Sequence, residues 1–250
     1  MDWMRGWTGR GLALLAGLAA GLAQPPFGIL PGLLGYALLL ALIDAAEGPR
    51  PLRSAFFRGW LGGVGYFAVA VWWITEPFMV DAKEQGWMAP FALILLAGGL
   101  ALFWGAAALL YRVLGPRGVA RALVFAGCLA GFEWLRGHIL TGFPWDLPGE
   151  TWRAGTAPSQ AAALVGAYGL SWITVAIAAA PAVLAQPADR WRKAGALAAA
   201  LVALGGLYAY GAWRLETAAK PRPGAPVVRV VQADIDQKNK WRPENLGVIF

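Results

Sequence analysis

The 250-residue chain is 58% hydrophobic and only 14% charged, with a formal net charge of +7. Soluble domains average about 45–50% apolar and about 25% charged, so an ordinary water-soluble globule is excluded and a multi-spanning membrane protein is the natural class. A single cysteine, Cys128, excludes an intramolecular disulfide and a cysteine cluster for metal, and a single histidine, His138, excludes a histidine-rich metal site.

Taken in order, the apolar runs approach the ~20 residues that cross a bilayer as a helix. The first is Gly11 to Ala23, behind Arg5 and Arg10. Its basic start and small residues near Ala23 also fit a signal peptide, but further spans follow at once, which favours a short transmembrane helix. Gln24-Pro25-Pro26-Phe27-Gly28 is a tight turn, and Ile29 to Ala45 is the second span. Asp44 to Arg58 reads as a polar loop. Gly59 to Phe78 is the third span, with Gly59, Gly62, Gly63 and Gly65 allowing close helix approach and Trp72-Trp73 at an interfacial depth. The fourth span is Trp87 to Leu110 and the fifth is Ala122 to Leu135. The sixth is Gln160 to Leu184 and the seventh is Ala194 to Trp213. Residues 1–213 therefore read as a transmembrane helical domain and 214–226 as a linker. Residues 227–250 open with Val227 to Val231, a short β-branched run that predicts a buried strand.

Between the fifth and sixth spans lies Glu133 to Trp145, where charge, aromatic rings and backbone breakers crowd together. Glu133 and Arg136 are three apart, so a helix puts them on one face as a pair. Gly137 permits a helix stop, and Gly142, Pro144 and Trp145 make a compact break. The plain use of the pair is structural, within the membrane; contact with a phospholipid headgroup is the other use. Trp145 is read as an interfacial aromatic, and His138 as an interfacial polar residue.

Orientation follows the short loops. With the N-terminus in the cytoplasm, that side holds Arg5, Arg10, Arg50, Arg53, Arg58, Arg112, Arg117, Arg121, Arg190, Arg192 and Lys193. The opposite side, up to the seventh span, holds only Lys83, Arg136 and Arg153. The basic balance is thus a topology signal rather than a nucleic-acid footprint. Seven spans send the C-terminal segment, and the Glu133–Trp145 stretch, to the outer side.

A set of motifs in fixed order carries a family resemblance. They are Pro25-Pro26-Phe27-Gly28, Trp72-Trp73-Ile74, Gly142-Phe143-Pro144-Trp145, and Gln160 with Gly166-Ala167-Tyr168-Gly169-Leu170-Ser171. Last comes Val231 to Trp241 in the pattern Val-Gln-x-x-Ile-x-Gln-x-x-Lys-Trp. Together they resemble apolipoprotein N-acyltransferase. The resemblance implies a bacterial inner-membrane, multi-pass monomer with a nitrilase-like α/β domain on the periplasmic side. It implies acyl transfer from a phospholipid, usually phosphatidylethanolamine, to the amine of a diacylglyceryl-cysteine lipoprotein. A cysteine thioester carries the acyl group, a Glu-Lys-Cys triad does the work, and no cofactor is expected. Membrane lipids are the surroundings, and nucleic acid is not a partner.

The sequence departs from the family in one large respect. The triad belongs to the nitrilase-like domain, and Cys128 does not match the nucleophile, being mid-span and away from any base. The chain therefore reads as an N-terminal fragment with no catalytic residue of its own, inactive by itself. Asp234 stands where the family usually has Asn. Trp241 matches the family tryptophan in the loop at the substrate entrance, against the plainer reading of an aromatic at a membrane junction. Gly142 to Trp145 matches part of the periplasmic shelf beneath the catalytic domain. Lys238 and Lys240 read as a solvated basic loop or an attraction for anionic headgroups. The rival function is a non-catalytic lipid-binding or transport bundle. A repeat-built transporter would show matching broken helices in two halves, which this sequence lacks.

Overall fold

A computed structural model describes residues 6–116, 118, 120–219, 222, 224, 226–232 and 247. Among them the regular structure is entirely helical. Seven long helices follow in order: α1 Gly6–Leu22, α2 Gly35–Asp44, α3 Pro51–Ala70, α4 Ala89–Leu114, α5 Ala120–His138, α6 Ala162–Ala179 and α7 Arg190–Glu216. A 3-10 turn, Leu30–Leu34, leads into α2, and another, Ala180–Ala185, extends α6. Each apolar run of the sequence is therefore mainly helical, although Gly166 interrupts α6 with φ +69° and ψ 179°.

The boundaries show why some ends were misjudged. α3 begins at Pro51, well before the expected start at Gly59. Pro51 suits the first helical turn because its missing N–H is an orphan there anyway, and Arg53 and Arg58 are helical residues rather than loop. Likewise α7 starts at Arg190, because Asp189 caps it by accepting from the Trp191 and Arg192 N–H groups at 3.0 and 2.9 Å. α5 runs through Gly137 to His138. α4 ends where Gly115 adopts φ +56°, a left-handed cap.

Glycine sets the closest approaches. A Cβ on Gly17 of α1 would lie 1.8 Å from the Gly62 carbonyl oxygen of α3, and one on Gly21 would lie 2.7 Å from the Tyr66 oxygen. The two helices thus touch backbone to backbone and run parallel, as small residues allow. α2 lies antiparallel on α1, with Gly32 against Ala19 and Gly35 against Ala16. α4 packs antiparallel on α3, Gly63 on Ala101 and Gly59 on Ala108. The core between them is aromatic: Tyr36, Tyr66 and Trp104 are fully buried, with Tyr66 and Trp104 stacked at 4.8 Å.

The outer surface is apolar. Ile94, Leu95, Leu201 and Val202 are exposed, and along α7 only Leu207 and Gly211 are buried. Helices apolar all round belong inside a large core or a membrane. Three helical stretches, Ala82–Leu114, Pro158–Ala185 and Arg190–Glu216, are long and apolar enough to cross a membrane. The others are shorter or carry charge: α1 has 17 residues, α2 has 10, and α5 contains Arg121, Glu133 and Arg136. Residues 226–232 carry no strand, and Val227, Val228, Val230 and Val231 are exposed. A strand needs a hydrogen-bonded neighbour, and no described residue supplies one there.

Candidate functional site: a buried clamp under the Phe143–Thr151 loop

The last turn of α5 carries Glu133 and Arg136 inward, and both are buried. The Glu133 carboxylate accepts from Trp104 Nε1 of α4 at 2.6 Å and from Arg136 Nε at 2.7 Å. A further Arg136 N–H closes on the same carboxylate oxygen. The guanidinium also donates to the carbonyls of Phe143 at 2.6 Å and Trp145 at 3.0 Å. Its Cζ lies 5.1 Å from the centre of the Phe67 ring and 5.7 Å from that of Phe143. A buried charge is tolerated when it is paired and its remaining donors are satisfied, and here the loop's own carbonyls complete the set.

The loop must double back to reach those donors. Leu140, Thr141 and Asp146 all take positive φ, at 52°, 74° and 58°, which is uncommon for residues with a Cβ. Gly142 sits at φ +80°, and a Cβ on it would meet the Gly137 carbonyl oxygen at 2.5 Å. The turn is closed by Gly142 N–H to Ile139 O at 2.9 Å and Phe143 N–H to Arg136 O at 3.0 Å.

Beyond it the chain is tied to three other helices. Tyr66 of α3 donates to the Asp146 carbonyl at 2.9 Å. Gln24, just past α1, donates to Tyr66 Oη at 2.7 Å and to the Leu147 carbonyl at 3.2 Å. Thr151 Oγ1 donates to Ala23 O at 2.7 Å, Gly149 N–H to Ser171 Oγ at 2.9 Å, and Trp152 Nε1 to Thr174 Oγ1 at 2.8 Å. Glu150 accepts from the Leu147 N–H at 2.9 Å. On the open side Trp145 is 55% exposed and packs edge-on against Phe143 and Trp73. Asp146 is drawn partly under the loop. Burial first, then the neighbouring Glu150 carboxylate, push its carboxyl up to about 6, against the opposing pull of Trp73 and Arg136.

Of the residues expected from the sequence, Glu133, Arg136, Gly142 and Trp145 meet in this one place. Trp241, with Asp234, Lys238 and Lys240, lies outside the described residues. His138 is exposed, stacked at 4.3 Å on Trp134. Cys128 is buried in α5 among core residues. Sequence reasoning missed Gln24, Tyr66 and Trp104, which supply the clamp from the turn after α1, from α3 and from α4. The available signal was polar capacity in the middle of apolar runs, which asks for a buried partner.

The family model for the apolipoprotein N-acyltransferase N-terminal domain matches residues 16–180, from the second half of α1 through the end of α6. The chain belongs to the apolipoprotein N-acyltransferase family. It is 60% identical over 245 residues to the apolipoprotein N-acyltransferase of Caulobacter vibrioides, covering 98% of this chain and 46% of that protein. It is 37% identical over 254 residues to that of Allorhizobium ampelinum, and 38% over 256 residues to that of Brucella melitensis. Each of those matches covers 99% of this chain, and 47% and 48% of the relative. The chain thus spans about half the length of the curated relatives it matches. The whole clamp, from Gln24 to Thr174, falls within the part that matches the apolipoprotein N-acyltransferase domain model.

Proposed function

We propose that this chain is the membrane part of an enzyme that transfers an acyl chain from a phospholipid to the N-terminal amine of diacylglyceryl-cysteine lipoproteins. The observation that carries this reading is the near-complete coverage of the chain by apolipoprotein N-acyltransferases, 60% identical in one case. In this reading the transfer passes through a cysteine thioester, with a Glu base and a Lys oxyanion stabiliser, in a nitrilase-like domain that opens near Val227. The buried and apolar surroundings of Cys128 argue against its being that nucleophile.

All seven helices cross the inner membrane of the bacterium, the N-terminus cytoplasmic and the clamp periplasmic. The sorting of arginines supports this orientation. The loop from Phe143 to Thr151 is a rigid shelf under the catalytic domain. Glu133, Arg136 and Gly142 set its shape, and exposed Trp145 meets lipid headgroups. Trp241 borders the route of the acyl chains, its amphipathic ring suited to headgroup depth. The protein works as a monomer on phospholipid donor and lipoprotein acceptor.

Reporter fusions at Ser54 and at Trp241 test the topology. Opposite compartments are expected, and the same compartment for both would end this reading.

A further inference from the structure

At the end of the bundle opposite the clamp, the first turns of α1 and α3 and the α2–α3 loop line an open cavity of about 850 Å³. Arg10, Arg50, Arg53 and Arg58 all line it, and Glu47 is the one carboxylate among its described lining residues. Two of the cations are held on rings: Arg10 lies 4.6 Å over Trp7 and Arg53 lies 5.5 Å over Phe57. A guanidinium held over a ring still has N–H donors to offer a ligand.

Arg58 is the telling member. Its side chain is only 3% exposed, one N–H donates to the Leu42 carbonyl, and its buried Nε has no hydrogen-bond partner among the described residues. A sequestered cation needs an anion or a full set of acceptors to offset its lost hydration. A topology signal requires only that arginines flank a span. It does not require four of them to converge on one open cavity with a buried guanidinium at its side.

We propose that this cavity holds the headgroup of an anionic phospholipid, its phosphate received by the four arginines. Four cations against one carboxylate favour a ligand of more than one negative charge, as in a diphosphatidylglycerol. Basic pockets between membrane helices take headgroups of this kind. Trp7 is exposed at the rim and Trp60 and Leu61 lie on the lining, an apolar flank for the acyl chains. The inference rests on the membrane reading above and is independent of acyl transfer; the proposed orientation puts the lipid in the cytoplasmic leaflet.

The test uses the whole protein, purified in detergent and stripped of lipid. Native mass spectrometry follows its titration with cardiolipin and, separately, with phosphatidylcholine. Cardiolipin adducts are expected at concentrations where phosphatidylcholine gives none. Arg50→Gln with Arg53→Gln, both exposed and outside the helix contacts, is expected to weaken cardiolipin binding on the order of 20-fold. Arg190→Gln with Arg192→Gln, at the start of α7, is expected to leave it unchanged. Equal retention of phosphatidylcholine would overturn the proposal, as would an equal loss in the α7 pair, which would mean diffuse surface charge. Displacement of cardiolipin by glycerol phosphate at matching concentration would also overturn it, in favour of a soluble phosphate ligand. Acyl transfer measured on the same preparation with phosphatidylethanolamine reports separately on the enzyme reading.

Discussion

Glu133 and Arg136 pair within one turn of α5, and neither side chain has more than 1% of its surface exposed. The pair is the hub through which α4, α5 and the Phe143–Thr151 loop are joined. Breaking one partner leaves the other charged and buried, which costs about 3–5 kcal/mol. Glu133→Leu or Arg136→Met alone should therefore lower the thermal unfolding temperature of the detergent-purified protein markedly. The double variant should lose less than either single change, because it leaves no orphan charge. A double variant worse than both singles would show that the loop carbonyls, not the pair, carry the stability.

The α1–α3 seam makes a second prediction. Gly17 has no room for any side chain, because its Cβ would overlap the Gly62 carbonyl, whereas Gly98 on α4 has nothing within 4 Å. Gly17→Val should destabilise by at least the ~1–3 kcal/mol typical of overpacking and should lower the yield of folded protein in the membrane. Gly98→Ala should not. Equal yields and equal melting temperatures for the two variants would contradict a backbone-to-backbone seam.

Much of this architecture was legible in the sequence, for physical reasons that differ by residue. Hydropathy located the seven helices, since each apolar run is a helix whatever its depth in the bilayer. The three-residue spacing of Glu133 and Arg136 placed them on one face. The arginines misled where they lie on helix: Arg53 and Arg58 read as loop because charge interrupts an apolar run, yet they line a cavity at the helix start. The partners of the clamp were not legible, because Gln24, Tyr66 and Trp104 are far apart in sequence and meet only through packing. Nor were the positive φ angles of Leu140 and Thr141, which such side chains rarely adopt, or of Asp146, whose carbonyl is held by Tyr66. The strand at Val227 to Val231 was read from local composition alone, and a strand is never a local structure.

Asp146 supplies a pH dependence. Its carboxyl is raised from 3.8 to about 6 in the folded protein, chiefly by burial. Such a group binds more protons folded than unfolded between those two values, so stability falls as pH rises from about 4 to about 6 and is flat above. The melting temperature should therefore rise as pH is lowered from 7 to 5. In Asp146→Asn that rise should shrink, and the variant should be the more stable protein at pH 7. An unchanged pH profile in Asp146→Asn would mean that the carboxyl is not drawn under the loop.

The proposed acyl transfer belongs to a whole protein in which this chain would be the membrane part. Its most direct test is mass spectrometry of a lipoprotein N-terminus in cells depleted of their own N-acyltransferase and supplied with the whole protein. Triacylated lipoprotein is expected, with the yield reduced in Trp241→Ala at equal membrane levels. Lipoprotein that stays diacylated, with the supplied protein folded and inserted in the membrane, would contradict it.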